Sequence, residues 1–305
     1  MNNIYRWTMA LLALWLMLGP PAAAWGAPKV VVTLPPLHSL AAGIMEGAGQ
    51  PQMLLTGGES PHSASLRPSA ARALQNSDII VWVGPDMETF LKKPLSVLGG
   101  KASVLTAVLI PGIYLLETKL DTHEHEKGGE HKHGQFNQHI WLAPKNAILI
   151  ARTLSRMLIA KDPLNEKLYA DNTKRLVEDL LKLDKELLES LKEVKGRPFM
   201  VFHDAYTYFT KRYDLNLQGA VSYSPETAPG ARRVSEIHRE VKEKKIVCLF
   251  SEPQFEPALV KTLIEGTSVR SASLDPLGSG LEAGRDMYFR LLRNLAGNMK
   301  GCLAG

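Results

Sequence analysis

Three histidines and one aspartate stand in matching local settings along this chain. His62 lies in the loop Gly57-Gly58-Glu59-Ser60-Pro61-His62, just beyond a predicted strand. His139 immediately precedes Ile140-Trp141-Leu142, His203 closes the predicted strand Phe-Met-Val-Phe-His at 199–203, and Asp275 follows a strand candidate at 269–274. Imidazole nitrogen and carboxylate oxygen together suit a four-coordinate Zn2+. Three neutral imidazoles also serve Cu2+ and Ni2+, so ligand type alone does not name the metal. A lone histidine in such a place is ordinarily a satisfied core or surface residue. What sets these four apart is position. At least three lie at the end of a predicted strand or in the loop beyond it, where open α/β sheets bind ligands. Two come from each half of the chain, which predicts a shared site in a cleft between the halves. No HExxH and no paired CxxC is present, so spacing by itself does not make the case.

The elements that must position these residues alternate. Lys29–Leu34 (KVVVTL), 53–56, 78–84 (DIIVWVG) and 103–108 read as short buried strands, with a helix over 69–75 after Pro68. This alternation predicts a mostly parallel sheet with helices on both faces. The pattern restarts with strand candidates at 199–203, 217–221, 245–250 and 269–274, and helices at 234–244 and 256–265. Between the two series the chain is helical at 146–160. It is helical again over 164–194, where leucines from Leu164 to Leu191 and then Val194 recur at spacings of three, four or eight, until Gly196 and Pro198 stop the pattern. Thirty-one helical residues would make a rod of about 46 Å. The predicted fold is therefore α/β: two Rossmann-like lobes, at 28–162 and 197–305, joined by a long linker helix over 163–196.

Length and composition agree with this. A chain of 305 residues exceeds one comfortable hydrophobic core. An apolar fraction of 45% and a charged fraction of 22% are ordinary for a globular protein. The net charge of +5 is spread along the chain without a basic block, which gives nucleic-acid binding no support. Two cysteines exclude a disulfide scaffold and an all-cysteine zinc site. At the N-terminus, Arg6, an apolar run from Met9 to Leu18, the breaker Gly19-Pro20-Pro21 and Ala22-Ala23-Ala24 read as a signal peptide over 1–24, cleaved after Ala24. No cysteine near the cut offers a lipid attachment point, and no later segment is long and apolar enough to span a bilayer. Export implies an oxidising compartment, in which Cys248 and Cys302 can pair.

One stretch breaks the rhythm. Residues 120–138 lack apolar periodicity and are rich in His, Glu, Lys and Gly, which reads as a solvated loop. His123, His125, His131 and His133 form two His-x-His pairs there, beside Glu124, Glu126 and Glu130. That composition suits weak, exchangeable metal binding, because ordering a loop costs about 1–2 kcal/mol per residue.

Four segments together resemble the zinc-binding receptors of bacterial ATP-binding-cassette importers, over nearly the whole exported chain. They are the Ser60-Pro61-His62 loop with Leu66-Arg67-Pro68-Ser69; His139-Ile140-Trp141-Leu142-Ala143-Pro144; Phe202-His203-Asp204-Ala205-Tyr206; and Ser251-Glu252-Pro253-Gln254-Phe255 with Leu274-Asp275-Pro276-Leu277-Gly278. The resemblance implies a metal site between two α/β lobes, formed by His62, His139, His203 and Asp275. Histidine at the third position resembles the zinc members rather than the manganese members, which have glutamate there. The fourth ligand stays open between Asp275, the nearby Glu59 and water. Asp204 and Glu252 are expected to orient the ligands from behind. The histidine-rich loop resembles a feature of zinc members, and Cys248–Cys302 resembles a disulfide of the same relatives. His38 and His238 read as structural. The implied protein is a periplasmic monomer that carries Zn2+ to an inner-membrane permease, is not anchored in the membrane and catalyses no reaction. The rival readings are a manganese-type receptor or adhesin and a zinc hydrolase, the second of which would need a general base and a substrate pocket that no motif supplies.

Overall fold

The computed structural model describes residues 26–55, 59–98, 100–118, 136–222, 230–253 and 257–305. The predicted signal peptide, the four loop histidines (His123, His125, His131 and His133), Gln254 and Phe255 lie outside these residues.

The first sheet holds β1 (Val30–Val32), β2 (Gln52–Met53), β3 (Ile79–Trp82) and β4 (Ser103–Thr106), in the order β2-β1-β3-β4 and parallel throughout. The second holds β5 (Phe199–His203), β6 (Leu217–Ser222), β7 (Cys248–Ser251) and β8 (Arg270–Ser273), in the order β6-β5-β7-β8 and again parallel. Each sheet therefore repeats one winding. Strands β1, β3 and β5 are buried at every residue, as parallel strands covered on both faces must be. Strand order reverses between β1 and β3 in the first sheet and between β5 and β7 in the second, and a doubly wound sheet opens its ligand crevice at the carboxyl ends of such a pair.

Helices α1 (Pro35–Met45), α2 (Pro68–Gln75), α3 (Lys92–Leu98), α4 (Pro144–Lys161) and α5 (Glu166–Ser190) surround and follow the first sheet. Helices α6 (Thr207–Tyr213), α7 (Ala231–Glu243), α8 (Pro257–Ile264) and α9 (Met287–Ala304) belong to the second half. The rod expected at 164–194 is shorter, with 25 residues and a length of about 38 Å. A 3-10 turn at Pro163–Asn165 precedes it and another at Lys192–Val194 follows. Pro163 starts that first turn, and Leu164 is left 82% exposed rather than joining the buried stripe. At the far end the tighter turn brings Leu191 and Val194 into the core.

Four helices were not anticipated, α1, α3, α6 and α9, and two of them, α1 and α9, matter for the join. α1 is apolar almost all round, so it has no periodic stripe to read. α9 packs on α1, on α5 and on β8, so the C-terminal helix crosses back to the first lobe. Its N-terminal end is pinned there: the Ser39 hydroxyl donates to the Arg285 carbonyl at 3.0 Å and accepts the Tyr288 N–H at 3.0 Å. One hydrophobic cluster consequently runs through both halves, from Val30 and Leu40 through Leu180 and Leu187 to Phe199, Tyr288 and Met299. Cys248 on β7 is bonded to Cys302 on α9 across 54 residues, as the resemblance implied.

Candidate metal centre

His203 ends β5, at the switch point of the second sheet, and Glu252 follows β7 directly beside it. Both side chains are buried. The His203 Nδ1–H donates to Glu252 Oε1 at 2.5 Å, which leaves Nε2 as the lone-pair nitrogen. Burial pushes the Glu252 carboxyl above its ordinary range and the Asp275 charge adds to this, while the neighbouring His203 opposes it. The fully buried Tyr206 phenol faces the same carboxylate, and its pKa is raised by burial and by the Glu252 and Asp275 charges.

His139 sits just before a 3-10 turn over Ile140–Leu142 rather than on a strand end. Its setting comes from the opposite lobe. The Trp141 ring lies tilted with its centroid 5.2 Å from that of His139, and Trp141 donates its indole N–H to the Pro276 carbonyl at 2.8 Å and accepts the Tyr288 hydroxyl on its own carbonyl at 2.6 Å. On the other side Asn137 accepts both the His139 backbone N–H and Nδ1–H, each at 3.0 Å. His62 reaches the same place from the loop after β2, and its backbone N–H donates to Ser60 Oγ at 3.3 Å.

The three imidazoles converge. Ring centroids are 5.1 Å apart for His139–His203, 5.5 Å for His62–His139 and 6.3 Å for His62–His203. One ligand nitrogen from each lies within 4.8 Å of the others. The two Nε2 atoms of His139 and His203 are 3.3 Å apart. A tetrahedral zinc with Zn–N bonds of about 2.0–2.1 Å separates two ligand nitrogens by about 3.3–3.4 Å, so this pair already has the spacing of one edge of such a site. Burial, with the adjacent His203 and His62 rings, holds the His139 pKa well below 6.5 and keeps its lone pair available.

The carboxylates stand further back. Asp275 Oδ1 accepts the N–H groups of Leu277 at 3.0 Å and Gly278 at 2.9 Å, while Oδ2 accepts the Ser279 N–H at 2.7 Å and hydroxyl at 2.6 Å. All its acceptor positions are in use within its own turn. Gly278 closes that turn at φ +67°, where an added Cβ would strike Met287. Glu59 is paired with Arg67 at the surface. Asp204 spends its carboxylate on Thr207 at the start of α6, and it is its backbone carbonyl that serves the site, by accepting Asn137 Nδ2–H at 2.6 Å. His38 and His238 lie outside the cluster and donate to the carbonyls of Pro51 and Thr262. Asn137 escaped sequence reasoning, since an isolated Asn carries no motif, and Tyr206, although part of the Phe202–Tyr206 segment, had no role legible there.

Two parallel α/β sheets, with three histidines that could hold a metal ion converging between them, make the architecture of a two-lobed solute-binding receptor. The comparisons agree. The chain is 39% identical to the high-affinity zinc uptake system protein ZnuA of Brucella suis, covering 90% of this chain and 91% of that one. It is 37% identical to the protein of the same name from Yersinia pestis, with 96% of each covered. Its fold superposes on the periplasmic zinc binding protein TroA from Treponema pallidum with a TM-score of 0.79 over 91% of this chain and 99% of that one, at 20% identity. Residues 30–302 match the family described as zinc-uptake complex component A, periplasmic, and the chain belongs to that family.

Proposed function

We propose that this protein is a periplasmic receptor that takes up Zn2+ between its lobes through His62, His139 and His203 and delivers it to the membrane permease of an ATP-binding-cassette importer. The observation that carries the reading is the 3.3 Å separation of the His139 and His203 Nε2 atoms, each aimed by a hydrogen bond on the far side of its ring. Two imidazole lone pairs facing at that distance repel unless a cation or a proton lies between them. Three nitrogens favour zinc over manganese, which prefers oxygen donors. Zinc is the cargo, and no bond in a substrate is made or broken.

Asp275 is the fourth ligand in this reading. It is electrostatically coupled to Glu252 and Tyr206 behind His203, whereas Glu59 is occupied by Arg67. To reach the metal, Asp275 gives up a hydrogen bond from Ser279. Residues 1–24 act as the export signal, and His123, His125, His131 and His133 collect zinc weakly for the inner site. Among the described residues no helix is long and apolar enough to cross a membrane. Calorimetric titration with Zn2+, Mn2+, Ni2+ and Cu2+, on the wild type and on a 121–135 deletion, tests the proposal. One tight zinc equivalent should survive the deletion while weaker equivalents disappear. Loss of the tight equivalent would remove the interlobe site from consideration.

A further inference from the structure

We propose that Asn137 is a positioning residue for zinc: it sets the tautomer of His139 and ties that ligand to the segment carrying His203. The inference rests on the zinc-binding reading above. Asn137 is buried, and its main chain is fixed on both sides. Its N–H donates to the Leu116 carbonyl at 2.8 Å, and its carbonyl accepts the Tyr208 hydroxyl from the second lobe at 2.8 Å. That same hydroxyl accepts the Leu116 N–H at 3.0 Å. The side chain is left one arrangement.

The amide orientation follows from its two backbone partners. The His139 backbone N–H can only donate, so the atom it meets must be Oδ1. The Asp204 carbonyl can only accept, so the atom it meets must be Nδ2. With the flip decided this way, Oδ1 also faces His139 Nδ1, which must then carry the proton. The lone pair is thereby assigned to Nε2, the atom 3.3 Å from His203 Nε2. Because Asp204 follows His203 in the chain, a single amide holds both histidines in register across the lobes. Glu252 performs the tautomer-setting part alone for His203. Such partners behind a ligating histidine change metal affinity by about 10–100-fold when lost.

Nitrogen-15 NMR of the imidazoles in the metal-free protein, with zinc titration alongside, tests this. In the wild type His139 should be the Nδ1–H tautomer. In Asn137→Ala it should shift to a mixture or to Nε2–H, with zinc affinity lower by about 10–100-fold. Asn137→Asp keeps an oxygen acceptor behind the ring but cannot donate to the Asp204 carbonyl, so it should retain the Nδ1–H tautomer while recovering only part of the affinity, even if the alanine variant folds poorly. Asn172→Ala removes a buried amide of similar type, bonded to the Ile44 and Glu46 carbonyls, and should leave both readouts unchanged. An unchanged His139 tautomer in Asn137→Ala, loss of the Nδ1–H form in Asn137→Asp, or an equal affinity loss in Asn172→Ala would overturn the proposal. A wild type that shows the Nδ1–H tautomer yet binds no zinc at this site would instead refute the zinc reading.

Discussion

Replacing His62, His139 or His203 by alanine removes one of three converging nitrogens, so zinc affinity should fall by more than about 100-fold, beyond what loss of a supporting partner costs. The same change at His38 or His238 removes only a hydrogen bond to a main-chain carbonyl and should leave affinity within a few-fold of the wild type. Titration of the five variants checks both expectations. Protons compete with zinc for the same lone pairs, so affinity should be highest where the imidazoles are neutral and fall as pH drops below about 6.5. Constant affinity from pH 7.5 to 5 would contradict a histidine ligand set. The candidate ligand histidines were legible because each sits in a recognisable local segment. Asn137 was not, because its role exists only once Asp204 and Tyr208 arrive from the other half of the chain.

At the level of elements, the two switch points are built differently. In the second sheet the crevice holds His203 and Glu252. In the first, the buried Glu88 fills it. One of its oxygens accepts the Thr33 hydroxyl at 2.5 Å and the Val83 N–H at 3.0 Å, and the other accepts the Gly84 N–H at 3.0 Å, which joins the ends of β1 and β3. The Thr33 carbonyl in turn accepts the Leu55 N–H, just before the loop that leads to His62. Burial raises the Glu88 pKa from 4.5 to about 7, against the pull of these donors. Its folded pKa therefore lies above its unfolded value, so the native state holds the proton more tightly between about pH 4.5 and 7. The linked stability is fully present below that window and is lost as pH rises through about 7, by on the order of 3 kcal/mol. Denaturation of Glu88→Gln from pH 5 to 8 should show a shallower decline than the wild type, and parallel curves would refute the assignment. Strands such as β1 and β5 could be read from sequence because burial on both faces writes an unbroken apolar run. α1 could not, because an all-round apolar helix has no period and its leading Pro35-Pro36 looks like a strand terminator.

For the molecule as a whole, the join between lobes is distributed. α5 packs along α1 and α4, α9 returns from the second lobe to the first, and a single apolar cluster runs through both. The disulfide ties α9 to β7 in the second half. Closing a 54-residue loop stabilises by about 4 kcal/mol in the chain-entropy picture. Cys302→Ala should lower the denaturation midpoint accordingly while leaving zinc affinity nearly unchanged, because the bond lies outside the histidine cluster. A parallel collapse of zinc binding would show instead that α9 holds the site open.

If a zinc ion sits among three imidazoles contributed by both lobes, its coordination shell must show them. X-ray absorption at the zinc edge, on the 121–135 deletion loaded with one equivalent of Zn2+, reads that shell directly. Three imidazole nitrogens and one oxygen at about 2.0–2.1 Å are expected. A shell of oxygens alone, or one with fewer than two imidazoles, would contradict a three-imidazole site.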